Sequence, residues 1–414
     1  MNVSKNNDPK EIVLSAFACH PNYGSEKGIG WLAVKAAARE YRVHVITPTE
    51  NKSPIQSTKE RPERAQFHYV DLPRWLHPLR DRSAQLYYLC WQWVAYRKAK
   101  QLVQERTIEL IHHVTYGNSW TPVLHGYLDA PFIWNAGGRA KTPRAFLNCL
   151  SRAGGKQEQL RNYLLTALAP VVRFTTASRA TLIHTCSKRS LWPEDLPVRR
   201  LIFGGLPENE IRELSPDRTE GKRRSESFRA ISIGRLLPWK GFNLGLRAFA
   251  RLREQAPEAQ YWIVGNGSEM SHLKSLATEL GCADATQFWG HLSRDKVLDL
   301  LDHADVLVHP SLHEQFGYVL LEAMATGTPP ICLDLEGSPK VVDGGGIIIQ
   351  ANDPRQVVTD LRNELRQLES NAGYLEEMSR QACNRALDWT HEKVGDRLLG
   401  LYKQVLAEMS GTHQ

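Results

Sequence analysis

The chain has 414 residues, too many for one ordinary hydrophobic core, so two domains of about 200 residues each are expected. Hydrophobic residues make up 42% and charged residues 23%, with no low-complexity tract, which excludes a disordered or fibrous chain. The net charge of +7 is mild for this length and fits either a basic soluble surface or an anionic partner such as a phosphorylated ligand or membrane headgroups; nucleic acid is not an expected partner.

The elements follow in chain order. EIVLSAF (11–17) reads as a strand, ACHPNYGSEKGIG as a glycine-bearing loop, WLAVKAAARE as a helix and RVHVITP (42–48) as a second strand. This strand–loop–helix–strand unit begins a parallel sheet. FHYVDLP (67–73), IELIHHV (108–114) and PFIWNAG (131–137) continue it, with a long helix at 83–105 and another at 158–168. VVRFTTAS (171–178) and LIHTCS (182–187) read as further α/β units, and RRLIF (199–203) closes the first half.

Residues 204–227 are polar, charged and glycine-bearing, and read as the interdomain connection. The pattern then restarts over 228–385, with strands at 228–236, 259–265, 285–290, 304–311, 329–334 and 345–350. Amphipathic helices fall between them, and a last one, DRLLGLYKQVLAEM, ends the chain. The expected organisation is α/β, two Rossmann-like domains with parallel sheets facing across a cleft. The first spans 1–203 and the second 228–385, and 386–414 returns to the first.

The seven cysteines are scattered and form no CxxC pair, so they read as reduced thiols of a cytoplasmic chain with no metal cluster. The start, MNVSKNNDPKE, lacks a signal-peptide core, and no apolar run approaches the roughly 18 residues of a membrane span. The segment 74–100 is basic and aromatic. Leu86, Leu89, Trp93 and Tyr96 fall at helical spacing, which favours a core helix with a basic solvent face. The alternative is peripheral contact with the inner face of a membrane, or with a lipid-linked acceptor, through this part of the N-terminal domain.

In sheets of this kind ligands bind in the loops after the strands. Four such loops carry the candidate chemistry. HPNYGSEKGIG places Gly24, Gly28 and Gly30 before a helix start, where backbone amides favour an anion. SIGRLLPWKGF supplies Arg235 and Lys240, a bidentate fork and a mobile point charge suited to phosphate. VGNGSE carries Gly265 and Gly267, a turn that lets the backbone approach a flat base.

The fourth loop, HEQFGYVLLEAMATGTPP, holds Glu314 and Glu322 on either side of a helix start at Gly317 and Tyr318. Gly327 and Pro329 end that helix. A carboxylate accepts hydrogen bonds and suits a pair of sugar hydroxyls. Phosphate holders and hydroxyl holders in one half meet the needs of a nucleotide-sugar.

At these residues the chain resembles the family 4 glycosyltransferases, the large retaining family of GT-B fold that includes glycogen synthase-like and mannosyltransferase-like members. The resemblance covers nearly the whole chain. It is carried most specifically by PSLHEQFGYVLLEAMATGTP (310–329), with SIGRLLPWKG (232–241) and ADVLVHPS (304–311). ACHPNYGSEKGIGW (18–31), IHHVTYGNSWTP (111–122) and PFIWNAGGRAKTP (131–143) resemble one branch of the family.

The resemblance implies roles for individual residues. Glu322 binds the donor ribose, Glu314 lies by the transferred sugar, and Arg235 and Lys240 hold the pyrophosphate with amides of Phe316, Gly317, Tyr318 and Val319. Gly24 approaches the phosphates from the other domain. His113, or else His112, corresponds to a catalytic-site histidine of the family and belongs with Tyr116, Gly137 and Gly138 to the acceptor side. No metal or other cofactor is implied.

The implied activity is retaining transfer of a hexose from a UDP- or GDP-linked donor to a glycan, lipid-linked or small acceptor, in polysaccharide or glycolipid synthesis. A nucleotide-sugar epimerase and a non-catalytic membrane-associated binding module are the alternatives. The chain departs from the family pattern at Gln315, where proline is common, and at Lys340, where an acid is common. NAGG (135–138) also differs from the usual glycine-proline form.

Overall fold

Apolar runs bounded by turn residues become short parallel strands buried on both faces, as a sheet covered by helices on both sides requires. The computed structural model describes residues 9–21, 24–138, 141–187, 192, 195–215 and 227–411. The first sheet contains β1 (Glu11–Ser15), β2 (Arg42–Thr47), β3 (Ala65–Tyr69), β4 (Ile108–His113), β5 (Phe132–Gly137), β6 (Leu182–Thr185) and β7 (Val198–Arg200). Around it lie α1 (Ser25–Ala37), α2 (Lys52–Ser57), α3 (Pro78–Arg82), α4 (Ala84–Glu105), α5 (Arg144–Leu147) and α6 (Arg152–Thr175).

The second sheet contains β8 (Arg229–Ile233), β9 (Gln260–Val264), β10 (Thr286–Gly290), β11 (Val306–His309), β12 (Pro330–Leu333) and β13 (Ile347–Ile349). Its helices begin with α7 (Glu208–Leu214), α8 (Phe242–Arg253), α9 (Met270–Glu279) and α10 (Arg294–His303). They continue with α11 (Tyr318–Ala325), α12 (Ser338–Val342), α13 (Pro354–Ser370), α14 (Ala372–Ala386) and α15 (His391–Gly411).

The strand orders are β3-β2-β1-β4-β5-β6-β7 and β10-β9-β8-β11-β12-β13. Each order reverses direction once, between β1 and β4 and between β8 and β11. A reversal opens a crevice at the carboxyl ends of the two strands beside it, because successive crossovers there leave on opposite faces of the sheet. The fold thus sets two crevices, one per sheet, and the loops after β1, β4, β8 and β11 form their lips.

The chain crosses between the domains twice. Within the expected connection, residues 208–214 form α7 on the second domain, where Ile211 is buried among the apolar residues of that core; residues 216–226 lie outside those described. Near its end the chain leaves the second domain at Trp389, which packs edge-on to Phe316 with ring centres 5.3 Å apart. It then runs as α15 along the first domain. Leu398, Leu399, Tyr402 and Val405 enter the same core as Ile12, Leu14 and Val43. Arg39 pairs with Asp396 at 2.7 Å and Lys403 with Glu40 at 2.8 Å.

Two elements differ from the sequence reading. Residues 171–175, read as part of an α/β unit because of their β-branched pair, continue α6 through Pro170. Val172 is buried in the first core, and that contact overrides the local strand propensity. In α4 the buried stripe is Tyr88, Trp91, Ala95 and Ala99, whereas Leu86 and Trp93 are exposed. Polar tips select this face: Trp91 Nε1 donates to the Val70 carbonyl at 2.9 Å, and the Tyr88 hydroxyl meets His113 Nε2 at 2.6 Å.

The first core also holds a set of buried imidazoles. His112 contacts the Tyr402 hydroxyl at 2.7 Å through Nδ1 and His184 at 3.0 Å through Nε2. Burial pushes His112 well below the ordinary 6.5, His113 down to about 3, and His125 and His184 down to about 4. The unfolded chain would protonate these rings near 6.5, so it binds more protons than the folded one below that value. Their contribution to stability is complete above 6.5 and lost as pH falls towards about 4. A series of melting curves across that window should show the melting temperature declining, and less steeply in His184→Gln. A flat profile would contradict the buried neutral rings.

Candidate active site

The two crevices face each other and merge into one cleft of about 590 Å³. Its walls are the four switch-point loops. Ser25 and Glu26 follow β1; Tyr116, Gly117, Asn118 and Trp120 follow β4. Gly234, Arg235, Trp239 and Lys240 follow β8, and His313 to Val319 follow β11. Gly138, Arg161 and Glu336 complete the rim with Gln85 and others.

The loop after β11 gains its shape from Gly317, which caps α11 in the left-handed region at φ 74° with no side chain closing the helix end. The helix start at Tyr318 and Val319 therefore points into the cleft and offers an anion the positive end of the helix dipole. On the opposite wall α1 begins at Ser25, also with positive φ (62°) and without a side-chain cap. Glu26 in its first turn accepts a hydrogen bond from the Tyr116 amide, and burial raises its carboxyl above the ordinary value.

Lys240 and Glu314 form an ion pair on the second-domain side, both side chains largely withdrawn from solvent. His309 Nε2 lies 3.6 Å from the same carboxylate oxygen. Burial works against the charge on Glu314, but Lys240 and His309 outweigh it and hold the carboxyl well below its usual range. Arg235 is exposed and also lines the cleft.

Glu322, one turn along α11, is nearly buried and receives Arg294 Nε at 2.7 Å, while Arg294 Nη2 reaches Glu210 at 2.5 Å. Burial raises the Glu322 carboxyl and Arg294 opposes that rise. Glu322 is not part of the cleft lining, so the two acids of the HEQFGYVLLEA stretch occupy different depths.

The structure thus brings Glu314, Arg235, Lys240, Phe316, Gly317, Tyr318, Val319, Tyr116 and Gly138 onto one cleft. Other expected residues are placed elsewhere. Gly265 and Gly267 serve close backbone packing: a Cβ on Gly265 would meet the Gly234 carbonyl oxygen at 1.9 Å, and one on Gly267 the Leu236 oxygen at 2.2 Å. Gly24 adjoins the cleft-lining Ser25, and a Cβ there would meet nothing within 4 Å.

Neither His113 nor His112 lines the cleft, because both still belong to β4 and point into its two covering layers. His113 holds Tyr88, whose ring lies 4.9 Å from Tyr116, so it supports that wall of the cleft at one remove. Gly137 sits under the interdomain contact, where Gln315 Nε2 donates to the Gly117 carbonyl at 2.9 Å. A Cβ at Gly137 would meet both Gly117 and Gln315.

Sequence reasoning missed Arg161, Trp239 and Glu336. Arg161, on α6, is anchored by the fully buried Glu158 at 3.0 Å and reaches His313 of the other domain at 2.5 Å. Trp239 stacks on His313 with centres 5.1 Å apart. Glu336 adopts φ 54° and presents its carboxylate towards Gly138. The nearby Lys340, flagged as a departure, is exposed and points away. A non-glycine residue with positive φ has no sequence signature, so Glu336 could not be singled out.

Comparison with known proteins agrees with this geometry. Residues 215–385 match the family described as glycosyl transferases group 1. A D-inositol 3-phosphate glycosyltransferase from Stackebrandtia nassauensis is 35% identical over 180 residues, covering 41% of this chain and 40% of its own length. One from Corynebacterium jeikeium is 35% identical over 131 residues, covering 30% of this chain and 31% of its own. The matches therefore span well under half of these relatives.

Among solved structures, sucrose-phosphate synthase from Thermosynechococcus elongatus aligns over 96% of this chain and 100% of its own, with TM-score 0.60 at 16% identity. The Anabaena protein Alr3699/HepE, solved with UDP and glucose, aligns over 95% of this chain and 100% of its own, with TM-score 0.57 at 16% identity. At such identities the likeness establishes the GT-B fold. The similarity to the group 1 glycosyl transferases lies in residues 215–385, which take in the second sheet and its helices.

The Lys240–Glu314 pair can be measured without any ligand. Lys240→Met or Glu314→Gln alone leaves a partly buried charge without its partner, whereas the double variant removes both. Chemical denaturation of the four proteins should give a coupling energy of roughly 0.5–3 kcal/mol. Strict additivity would contradict the pairing.

Proposed function

We propose that the protein transfers a hexose from a nucleotide-sugar, UDP- or GDP-linked, to a hydroxyl of a glycan, a lipid-linked acceptor or a small acceptor, with retention and without a metal. The observation that carries this reading is the Lys240–Glu314 pair beside the uncapped start of α11, facing the start of α1 across one cleft.

A donor diphosphate on that helix start competes with Glu314 for the Lys240 ammonium, and Arg235 adds a fork for its oxygens. Glu314, released from its pair, is placed to accept hydrogen bonds from sugar hydroxyls. Glu322 lies deeper and suits the ribose, with Arg294 fixing its orientation.

The acceptor enters along Tyr116 and Trp120 on the first-domain wall. Its oxygen bonds to the anomeric carbon on the face from which the nucleotide leaves. The carbon–oxygen bond to the β-phosphate breaks, and the departing phosphate oxygen takes the acceptor's proton. The protein's main contribution is stabilisation of the leaving diphosphate by Lys240, Arg235 and the α11 amides, the task a divalent cation performs elsewhere. His113 is too deeply buried to exchange a proton with the acceptor, so we assign it the positioning of Tyr88 and Tyr116. The relatives are named for a small phosphorylated acceptor, D-inositol 3-phosphate, which makes such acceptors part of the first screen.

Melting curves with UDP, GDP, ADP and their common sugar conjugates, in the presence of EDTA, test the donor side. One nucleotide should raise the melting temperature, and its sugar conjugate should be consumed only when an acceptor is present. Consumption without acceptor, giving an isomeric donor, would establish an epimerase instead. No shift with any nucleotide would remove the donor site.

Replacing Glu322 with alanine removes a charge-assisted set of hydrogen bonds of about 1.5–3 kcal/mol, so donor affinity should fall by roughly 10–150-fold. Unchanged affinity by titration would exclude the ribose role.

A further inference from the structure

Helix α6 carries large apolar residues on its outer face and polar ones on its inner face. It spans 24 residues, about 36 Å. Its polar members Glu158, Arg161 and Asn162 face inward: Glu158 is fully buried against Arg161 and Thr142, and Asn162 Nδ2 donates to the Thr142 carbonyl at 2.8 Å. Leu165 and Val172 also face inward, but the other large apolar members face outward. Leu160, Tyr163, Leu164, Leu168, Val171 and Phe174 each expose between 38% and 72% of their surface. These positions recur at intervals of three and four, so they form one continuous stripe on one face of the helix. Single exposed apolar residues are ordinary; a stripe three turns or more long on a charged protein is not.

The stripe is set in positive charge. Between residues 141 and 179 the basic residues are Lys141, Arg144, Arg152, Lys156, Arg161, Arg173 and Arg179, and the only acid is the buried Glu158. Lys156 begins the stripe one turn before Leu160. Arg173 at its other end is held to Asp195 at 3.2 Å, Arg179 lies over the Tyr127 ring at 4.0 Å, and Arg144, Arg152 and Lys156 are exposed.

No helix among the described residues is long and apolar enough to cross a membrane. An apolar face bordered by cations suits the boundary between anionic headgroups and acyl chains. A second copy of the chain seated here would bring the same cations against each other across a twofold axis.

We propose that the outer face of α6 docks the protein on an anionic lipid surface, with Leu160, Tyr163, Leu164, Leu168, Val171 and Phe174 in the headgroup–acyl boundary and Arg152 and Lys156 among the headgroups. This assigns the membrane contact to α6 instead of residues 74–100, where Tyr88, Trp91, Ala95 and Ala99 are committed to the core. The inner face of the same helix carries Arg161 into the cleft, so docking sets the cleft mouth beside the bilayer surface. The proposal stands on this surface alone and does not depend on the transfer reading.

Sedimentation of the full chain with vesicles of phosphatidylcholine, with and without phosphatidylglycerol, reads it directly. Binding should appear with phosphatidylglycerol and weaken roughly tenfold or more without it or at high salt. The triple variant Leu160→Gln, Leu164→Gln, Phe174→Gln changes only exposed positions. It should lose at least about tenfold in vesicle affinity while its melting temperature stays that of the parent. Trp75→Ser with Trp93→Ser should bind as the parent does.

Any of three results would overturn the assignment: no binding to anionic vesicles, triple-variant binding equal to the parent, or loss confined to the Trp75 and Trp93 variant. Self-association of the parent that the triple variant abolishes, without vesicle binding, would make the stripe an interface between copies instead.

Discussion

The ion pair between Lys240 and Glu314 is the interaction on which the rest of the site depends. The two residues come from the loops after β8 and β11, the strands that flank the reversal of the second sheet. The pair joins the two lips of that crevice. A partly buried pair does so only because desolvation of the carboxylate is more than offset by the ammonium and by His309. The same balance makes the pair exchangeable. On the proposed reading a donor diphosphate, which carries more negative charge than one carboxylate and can also use the start of α11, takes Lys240 over and leaves Glu314 charged and facing the sugar.

The second requirement is that the first domain stand opposite this crevice. Several contacts of different kinds enforce that. The chain returns through Trp389 and α15, so the first core is incomplete without the C-terminal residues Leu398 and Tyr402. Gln315, next to Glu314, donates to the Gly117 carbonyl across the gap. At the foot of α6, Ser151 meets Glu269 at 2.8 Å and Asn243 meets the Cys149 carbonyl at 2.6 Å. Gln315 thus ties the two halves together directly beside Glu314.

Much of this was legible in the sequence, for physical reasons. Strands buried on both faces leave apolar runs, and crossover connections leave helix-period segments between them, so both sheets and the cleft at their carboxyl ends followed from pattern. Arg235, Lys240, Glu314 and the Gly317 helix start were visible because each directly follows such a run. Residues placed by tertiary contact were not visible. Arg161 enters the cleft from a helix whose inward face mixes the polar Glu158 with the apolar Leu165 and Val172, and the β-branched pair near its end imitated a strand. Gly265 and Gly267 looked like ligand-facing glycines but serve backbone packing against Gly234 and Leu236. His112 and His113 lie one residue apart on a strand, and sequence cannot tell that the cleft begins only at Tyr116.

The central claim is that this cleft recognises a nucleotide chiefly through its diphosphate, held by Lys240 and the start of α11. Calorimetric titration of the nucleoside, its monophosphate and its diphosphate, for the base the protein prefers, measures that directly. The account predicts that affinity rises steeply on adding the β-phosphate, and that Lys240→Met removes that increment while leaving nucleoside binding unchanged. Equal affinity for nucleoside and diphosphate, or a diphosphate that binds Lys240→Met as tightly as the parent, would contradict it.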